Sequence, residues 1–410
     1  MKHIVSISST LIVLLFSQCT KEHVALDNTP KLKDLSLTEQ ELIHTSNVFA
    51  VNLFQAIHQV KGDENIFISP LSVGFALNMT INGATGETKE EMKQVLDIES
   101  LSDTEANAAV QKLTEMLLNM DKKTRLSIAN AIWHHDDLTL EANLHKVIED
   151  QYMGKIEGLN FADPSTKEVI NGWVENETLG KIKNLIEEIS PLHRMFLVNA
   201  IYFKGDWQYK FDKERTSEGV FTLASGQKVP VQMMYSNEVK LRTYQNKTFQ
   251  LVELPYGNGQ FSMVILLPHI GKTTDEVMSL LAAEDIQSWI NQADTLMPHL
   301  YLPKFTSEFK MDLVEPLISM GMSKAFSNAA EFSGFFNEIK SLAIGEVIHQ
   351  AYIEVNEEGT EAAAATSVGI VLTSIGNTPT IRIDRPFVYF IREKHTEAIL
   401  FAGKMTNPSN

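Results

Sequence analysis

The chain has 410 residues, of which 44% are apolar and 21% charged, an ordinary globular balance that can bury a large core. Its formal net charge of −17 speaks against nucleic acid, heparin-type activators or anionic membrane surfaces as partners. The lone cysteine, Cys19, leaves no internal disulfide, so stability must come from the core whatever the redox compartment.

Lys2 precedes an apolar run from Ile4 to Phe16. The run is too short to cross ~30 Å of hydrocarbon as a helix, and residues 1–18 read as a signal peptide. Cys19 stands three residues past the run, which resembles the lipobox of bacterial lipoproteins, where the cysteine is lipid-modified. Phe16 and Gln18 depart from that pattern, and an ordinary secretory signal is the alternative. An exported protein is expected, at a bacterial cell envelope or surface if Cys19 carries lipid and otherwise secreted. In that setting a lipid anchor at Cys19 is the only membrane attachment expected. Residues 19–36 are polar, contain Pro30 and read as a tether. Residues 37–410 show neither linker nor repeat and read as one domain.

The first half looks helical. Glu39 to Val60 sets Leu42, Val48, Phe49, Leu53 and Ile57 on one broad face. Ser72–Ile81 and Glu87–Leu96 follow, separated at Asn82–Gly83, with Thr88 and Glu91 spaced as a capping pair. Leu140–Tyr152 and Thr166–Asn176 are further helices.

Strands then dominate. Arg194–Phe203 is almost wholly apolar, as for a strand covered on both faces. Phe249–Pro255 and Phe261–Leu267 flank a Tyr-Gly-Asn-Gly turn and predict a hairpin. His299–Phe305, Glu346–Asn356, Ile381–Ile391 and Ala398–Met405 complete the set. Helices first and strands later, with little alternation, predict an α+β fold with antiparallel or mixed sheets.

Enzyme motifs fail. Neither His-Glu-x-x-His, Gly-x-Ser-x-Gly nor Cys-x-x-Cys occurs. Gly271-Lys272-Thr273 imitates the end of a P-loop, but Leu266 replaces the upstream glycine, and the stretch reads as a surface turn. His134-His135 reads as a solvated turn after a strand. No metal, cofactor or catalytic residue is expected.

The most informative stretch is Glu357 to Ser374. Ala362 to Ala365 favour helix, whereas Val368, Ile370 and Val371 favour strand, so the segment suits both an exposed loop and a buried strand. With period two, Thr360, Ala362, Ala364, Thr366, Val368, Ile370 and Leu372 share a face without charge. The one charge, Glu361, falls on the other face. The first face can therefore enter a core without burying an unpaired charge.

Ordered motifs carry a family resemblance. Asn65-Ile66-Phe67-Ile68-Ser69-Pro70-Leu71-Ser72 is followed by Asn82-Gly83-Ala84-x-Gly86-x-Thr88 and by Ile170-Asn171-x-Trp173-Val174 with Thr178-x-Gly180-Lys181-Ile182. Leu197-Val198-Asn199-Ala200-Ile201-Tyr202-Phe203-Lys204-Gly205-x-Trp207 comes next. Glu253-Leu254-Pro255-Tyr256, Leu266-Leu267-Pro268, Ile383-Asp384-Arg385-Pro386-Phe387 and Phe401-x-Gly403-Lys404-x-Thr406-Asn407-Pro408 complete the series. Over about residues 40 to 408 the chain resembles the serpin family.

The resemblance implies helices, mostly in the N-terminal half, on a large central mixed sheet with two smaller sheets and an exposed reactive-centre loop. It implies no enzyme but a suicide inhibitor. The loop is cleaved by a target protease, retains it as a covalent acyl-enzyme, and inserts into the main sheet. A monomer is implied, with loop-sheet polymers as an alternative assembly.

By the same resemblance Glu357, Glu358, Gly359, Thr360, Glu361, Ala362, Ala363, Ala364 and Ala365 form the hinge of the inserting loop. Ser69, Ser72, Asn199 and His349 form a polar shutter beneath the sheet, and Trp207, Lys304 and Glu357 a breach at its top. Family spacing puts the reactive bond at Thr373–Ser374, with Leu372–Thr373 and Val371–Leu372 as alternatives. No Lys or Arg occurs between Gly359 and Thr380, so elastase-, subtilisin- or chymotrypsin-like targets fit better than trypsin-like ones, with papain-like proteases a further class. The rival reading is a non-inhibitory member acting as chaperone, carrier or surface binding protein.

Overall fold

Ser36 starts the fold. Its hydroxyl accepts from the Glu39 amide at 3.3 Å and the Glu39 carboxylate accepts from the Ser36 amide at 2.8 Å, a reciprocal cap that opens the helix Leu37–Lys61. The computed structural model describes residues 30, 32–189, 193–336, 342–360 and 378–409. The signal segment, Cys19, most of the tether and the loop from Glu361 through Ser374 lie outside the described residues.

Leu42, Phe49, Leu53 and Ile57 are buried along the first helix, with Val48 at the margin. The next helix, Pro70–Ile81, is capped by Ser69, begins with proline and is buried on nearly every side. A helix that is apolar all round needs cover all round, and this one runs under the central sheet. Gly86–Val95, Asp103–Asn119, Ala142–Tyr152 and Thr166–Glu177 follow. The expected Thr88–Glu91 cap is not formed. The helix starts at Gly86, so Thr88 is already inside it and instead accepts from the Glu331 amide at 3.0 Å. The Glu91 carboxylate accepts from the amides of Ser323 and Lys324.

Three sheets organise the remainder. The six-stranded mixed sheet runs in the order Phe305–Asp312, Glu346–Val355, Gly359–Thr360, Met195–Asp206, Thr124–His135, Lys155–Leu159. The seven-stranded sheet contains the expected hairpin, Phe249–Pro255 with Phe261–Pro268, beside Phe387–Glu393 and Ile399–Met405. The four-stranded sheet holds Ser217–Thr222, Lys228–Ser236, His299–Pro303 and Thr380–Arg382.

The run expected as a strand from His299 to Phe305 ends at Pro303 and pairs in the four-stranded sheet. Phe305 opens a separate strand, Phe305–Asp312, which was not expected beyond Phe305 and pairs with Glu346–Val355 in the six-stranded sheet. Thr380–Arg382 and Phe387–Glu393 part likewise across Pro386, which has no amide hydrogen for a ladder. His134-His135 is not a solvated turn. It ends the strand Thr124–His135, and the buried His134 ring packs on Phe336 with centroids 5.1 Å apart.

The strand Met195–Asp206 is covered on both faces, as its composition predicts. Leu197, Ile201 and Phe203 enter the main core. Phe196, Val198 and Ala200 pack with Ile170 and Val174 of the helix Thr166–Glu177.

Candidate functional site: a slot in the central sheet

Met195–Asp206 and Glu346–Val355 lie side by side, parallel, from Phe196 opposite Glu346 to Tyr202 opposite Tyr352. Above Tyr202 they part, and Gly359–Thr360 fills the opening. These two residues run antiparallel to both neighbours, Gly359 opposite Asp206 and Thr360 opposite both Gly205 and Val355. The first rung of a strand thus already occupies the slot.

A tight reversal delivers it. The Asn356 amide donates to the Gly359 carbonyl at 2.9 Å, and the Glu358 amide donates to Asn356 Oδ1 at 3.0 Å. Gly359 has φ of +152°, and a Cβ there would sit 2.6 Å from the Asp206 Cα and 2.7 Å from the Trp207 nitrogen, pressed against the Gly205 carbonyl oxygen. Only glycine lets the backbones approach so closely. Thr360 is fully buried, and its hydroxyl hydrogen-bonds the Tyr256 hydroxyl at 2.7 Å.

Two buried glutamates anchor the stem. Glu357 Oε2 pairs with Lys304 at 3.0 Å and Oε1 accepts from the Thr216 hydroxyl at 2.8 Å. Glu358 is clamped by Lys210 at 2.7 Å and Lys213 at 3.0 Å. Trp207 donates its indole N–H to the Asn356 carbonyl at 2.9 Å and its backbone N–H to the Glu358 carbonyl at 2.8 Å. Its ring stacks on Tyr256, centroids 4.4 Å apart. The residues expected at the breach therefore meet in one place.

So do those expected at the shutter. His349 lies opposite Asn199, one on each strand bordering the slot. The Ser69 amide donates to His349 Nε2 at 3.1 Å, which fixes the proton on Nδ1, and Nδ1 donates to Asn199 Oδ1 at 2.6 Å. The Asn199 amide donates to the Ser72 hydroxyl and, at 2.6 Å, to Asn130 Oδ1. Ser69 donates its hydroxyl to the Leu400 carbonyl at 2.7 Å and accepts from the Ser72 amide at 3.3 Å.

A family model described as "Serpin (serine protease inhibitor)" matches residues 44–408. The chain belongs to the serpin family. Human Serpin B11 is 34% identical over 89% of this chain and 99% of its own. A serpin-like protein of Methanosarcina mazei is 32% identical over 97% and 96%. Among solved structures, the thermophilic serpin tengpin in its native state is 31% identical, with a TM-score of 0.84 over 93% of this chain and 97% of its own. Human thyroxine-binding globulin complexed with thyroxine has the same TM-score at 29% identity, over 90% and 99%. Serpins are a family of protease inhibitors, not enzymes.

Charge at the serpin's slot follows from its surroundings. Burial works against ionisation of Glu357, but hydrogen bonds to its own amide, Thr216 and Lys304 outweigh it and hold the carboxyl below its usual range. The same contest at Glu358 is won by Lys210 and Lys213. Among the described residues no charged neighbour offsets the burial of His349, which pushes it down to about 3, so it is neutral at physiological pH. A neutral ring is what its acceptor role toward Ser69 requires.

Sequence reasoning missed Tyr256's bond to Thr360, and it missed Asn130, Thr216, Lys210 and Lys213 altogether. Tyr256 closes the Glu253-Leu254-Pro255-Tyr256 motif, so a signal existed without a role. The others are ordinary polar residues that only the tertiary fold brings to the site.

Proposed function

We propose that this serpin is an irreversible suicide-substrate inhibitor of proteases. The protease nucleophile attacks the Thr373 carbonyl and expels the Ser374 amine, which takes a proton, leaving an ester or thioester to the protease. The freed loop then inserts as a strand before water hydrolyses that bond.

The seated Gly359–Thr360 rung carries this reading. Continuing its two registers puts Ala362 opposite Phe203, Thr366 between Asn199 and His349, and Ile370 opposite Met195, the first residue of its strand. All share the inward face of Thr360, the face without charge. Thr373 then falls just beyond the far end of the sheet, so full insertion carries an attached protease from one pole to the other. Insertion must part His349 from Asn199, and Thr366 offers a hydroxyl in the gap. The shutter residues act as the lock and the breach residues as the entry.

Elastase-, subtilisin- or chymotrypsin-like serine proteases are the proposed targets, with papain-like cysteine proteases a further class. Cleavage at Thr373–Ser374 is favoured over Leu372–Thr373 and Val371–Leu372. Incubation with elastase is expected to give an SDS-stable complex and a C-terminal fragment beginning at Ser374. Clean turnover without a complex overturns the reading.

A carrier role is the second reading, favoured by the similarity to thyroxine-binding globulin complexed with thyroxine. Cleavage in the loop that leaves thermal stability unchanged would favour it. We further propose export by the segment 1–18 with lipid at Cys19, tested by palmitate labelling and sensitivity to globomycin.

A further inference from the structure

We propose that Tyr256 is a positioning residue whose buried hydroxyl holds Thr360 in the slot before cleavage and so sets how often the protease is trapped rather than released. The consequence for trapping rests on the inhibitory reading above; the docking itself does not.

Tyr256 cannot move to follow the hinge. Its ring is stacked on Trp207 at 8° between planes and meets Phe203 edge-on with centroids 5.3 Å apart. Its backbone is fixed by the Tyr256 amide donating to the Phe261 carbonyl at 2.8 Å and the Gly259 amide donating to the Tyr256 carbonyl at 2.6 Å. The hydroxyl is therefore held at one point under the sheet, completely buried. Thr360 is its hydrogen-bond partner there. Among the described residues the hydroxyl of Tyr389, equally buried, makes no hydrogen bond, to Tyr256 or to any other group.

A hinge that left the slot would strand the Tyr256 hydroxyl away from water. Leaving a buried hydroxyl unmade disfavours that state by about tenfold or more in population. Docking is thus favoured by a group that belongs to the sheet's underside rather than to the loop. Once the loop is cut, insertion propagates downward from a rung already in register and needs no nucleation. The competing event, hydrolysis of the acyl bond by water, gains whenever that rung is undocked.

The test compares wild type with Tyr256→Phe, Thr360→Val, Thr360→Ser and the Tyr256→Phe/Thr360→Val double variant. Tyr256→Phe keeps both ring contacts, and Thr360→Ser keeps the hydroxyl. Two readouts are used: hydrogen exchange of the peptide containing Gly359 and Thr360 without protease, and stoichiometry of inhibition against elastase. Tyr256→Phe and Thr360→Val are each expected to speed hinge exchange about tenfold and to raise the stoichiometry several-fold. Thr360→Ser should match wild type, and the double variant should be no worse than either single. Wild-type exchange in both single variants, or additive effects in the double, overturns the docking role. Faster exchange with unchanged stoichiometry overturns its part in trapping. Absence of any complex with wild type defeats the inhibitory reading instead, and exchange alone then decides the docking.

Discussion

His349 and Asn199 face each other across the two strands that border the slot, joined by a 2.6 Å hydrogen bond from Nδ1 to Oδ1. The imidazole also accepts from the Ser69 amide, tying the sheet to the helix beneath it. His349→Ala strands the Ser69 amide and the Asn199 oxygen and opens a cavity. A loss of about 2–4 kcal/mol in native-state stability is expected, read as a lower midpoint in urea. An unchanged midpoint would show that the shutter bonds do not hold the native sheet.

The same histidine predicts a pH dependence. Its folded value lies near 3 against an ordinary 6.5. Above 6.5 it is neutral in both states and contributes nothing. As pH falls below 6.5 the unfolded chain takes up a proton that the folded one refuses, so stability falls by about 1.4 kcal/mol per pH unit. Carboxylates such as Glu357, depressed in the fold, lose their contribution only below about 4.5. Urea midpoints of wild type and His349→Gln between pH 7 and 5 should therefore converge toward acid. Parallel curves would mean that His349 takes up a proton in the native protein as readily as in the unfolded chain.

The slot's principal members were reached through the family resemblance, whose motifs hold Ser69 and Ser72 in one run and Asn199 in another, while Glu357 to Thr360 stand at the start of the alternating loop. What escaped was partner choice over distance. Tyr256 and Thr360 are 104 residues apart and Asn130 and Asn199 are 69 apart. Nothing local in Lys210 or Lys213 says that a buried glutamate awaits them. The expected strand His299–Phe305 ran past the break at Lys304, and its continuation as Phe305–Asp312 in another sheet was missed, for a related reason. Apolar alternation continues across Lys304, and only the neighbouring backbones decide that the chain changes sheets there.

Gly359→Ala tests how closely the hinge must approach. The added Cβ meets the Gly205 carbonyl, the Asp206 Cα and the Trp207 nitrogen, all backbone atoms that cannot rotate away, at a φ unfavourable for alanine. Undocking of the rung is the cheapest relief, and a cost of roughly 1–3 kcal/mol is expected. Faster hydrogen exchange at the hinge and a shift from complex toward cleaved product should appear together. Wild-type values for both would mean that the hinge is not docked in solution.

Thr360→Arg tests the register itself. The side chain at 360 lies under the sheet against Tyr256, fully buried. An arginine there would place a permanent charge beside a phenol that burial keeps protonated, and the carboxylates of Glu357 and Glu358 are already engaged by Lys304, Lys210 and Lys213. A buried unpaired charge disfavours insertion by several kcal/mol, enough for acyl hydrolysis to win nearly every encounter. The variant should be cut by elastase at the wild-type bond and at a comparable rate, yet yield free protease and no SDS-stable complex. Undiminished inhibition would mean that position 360 faces solvent, that the alternation along the loop is read one residue out of step, and that Glu361 instead points inward.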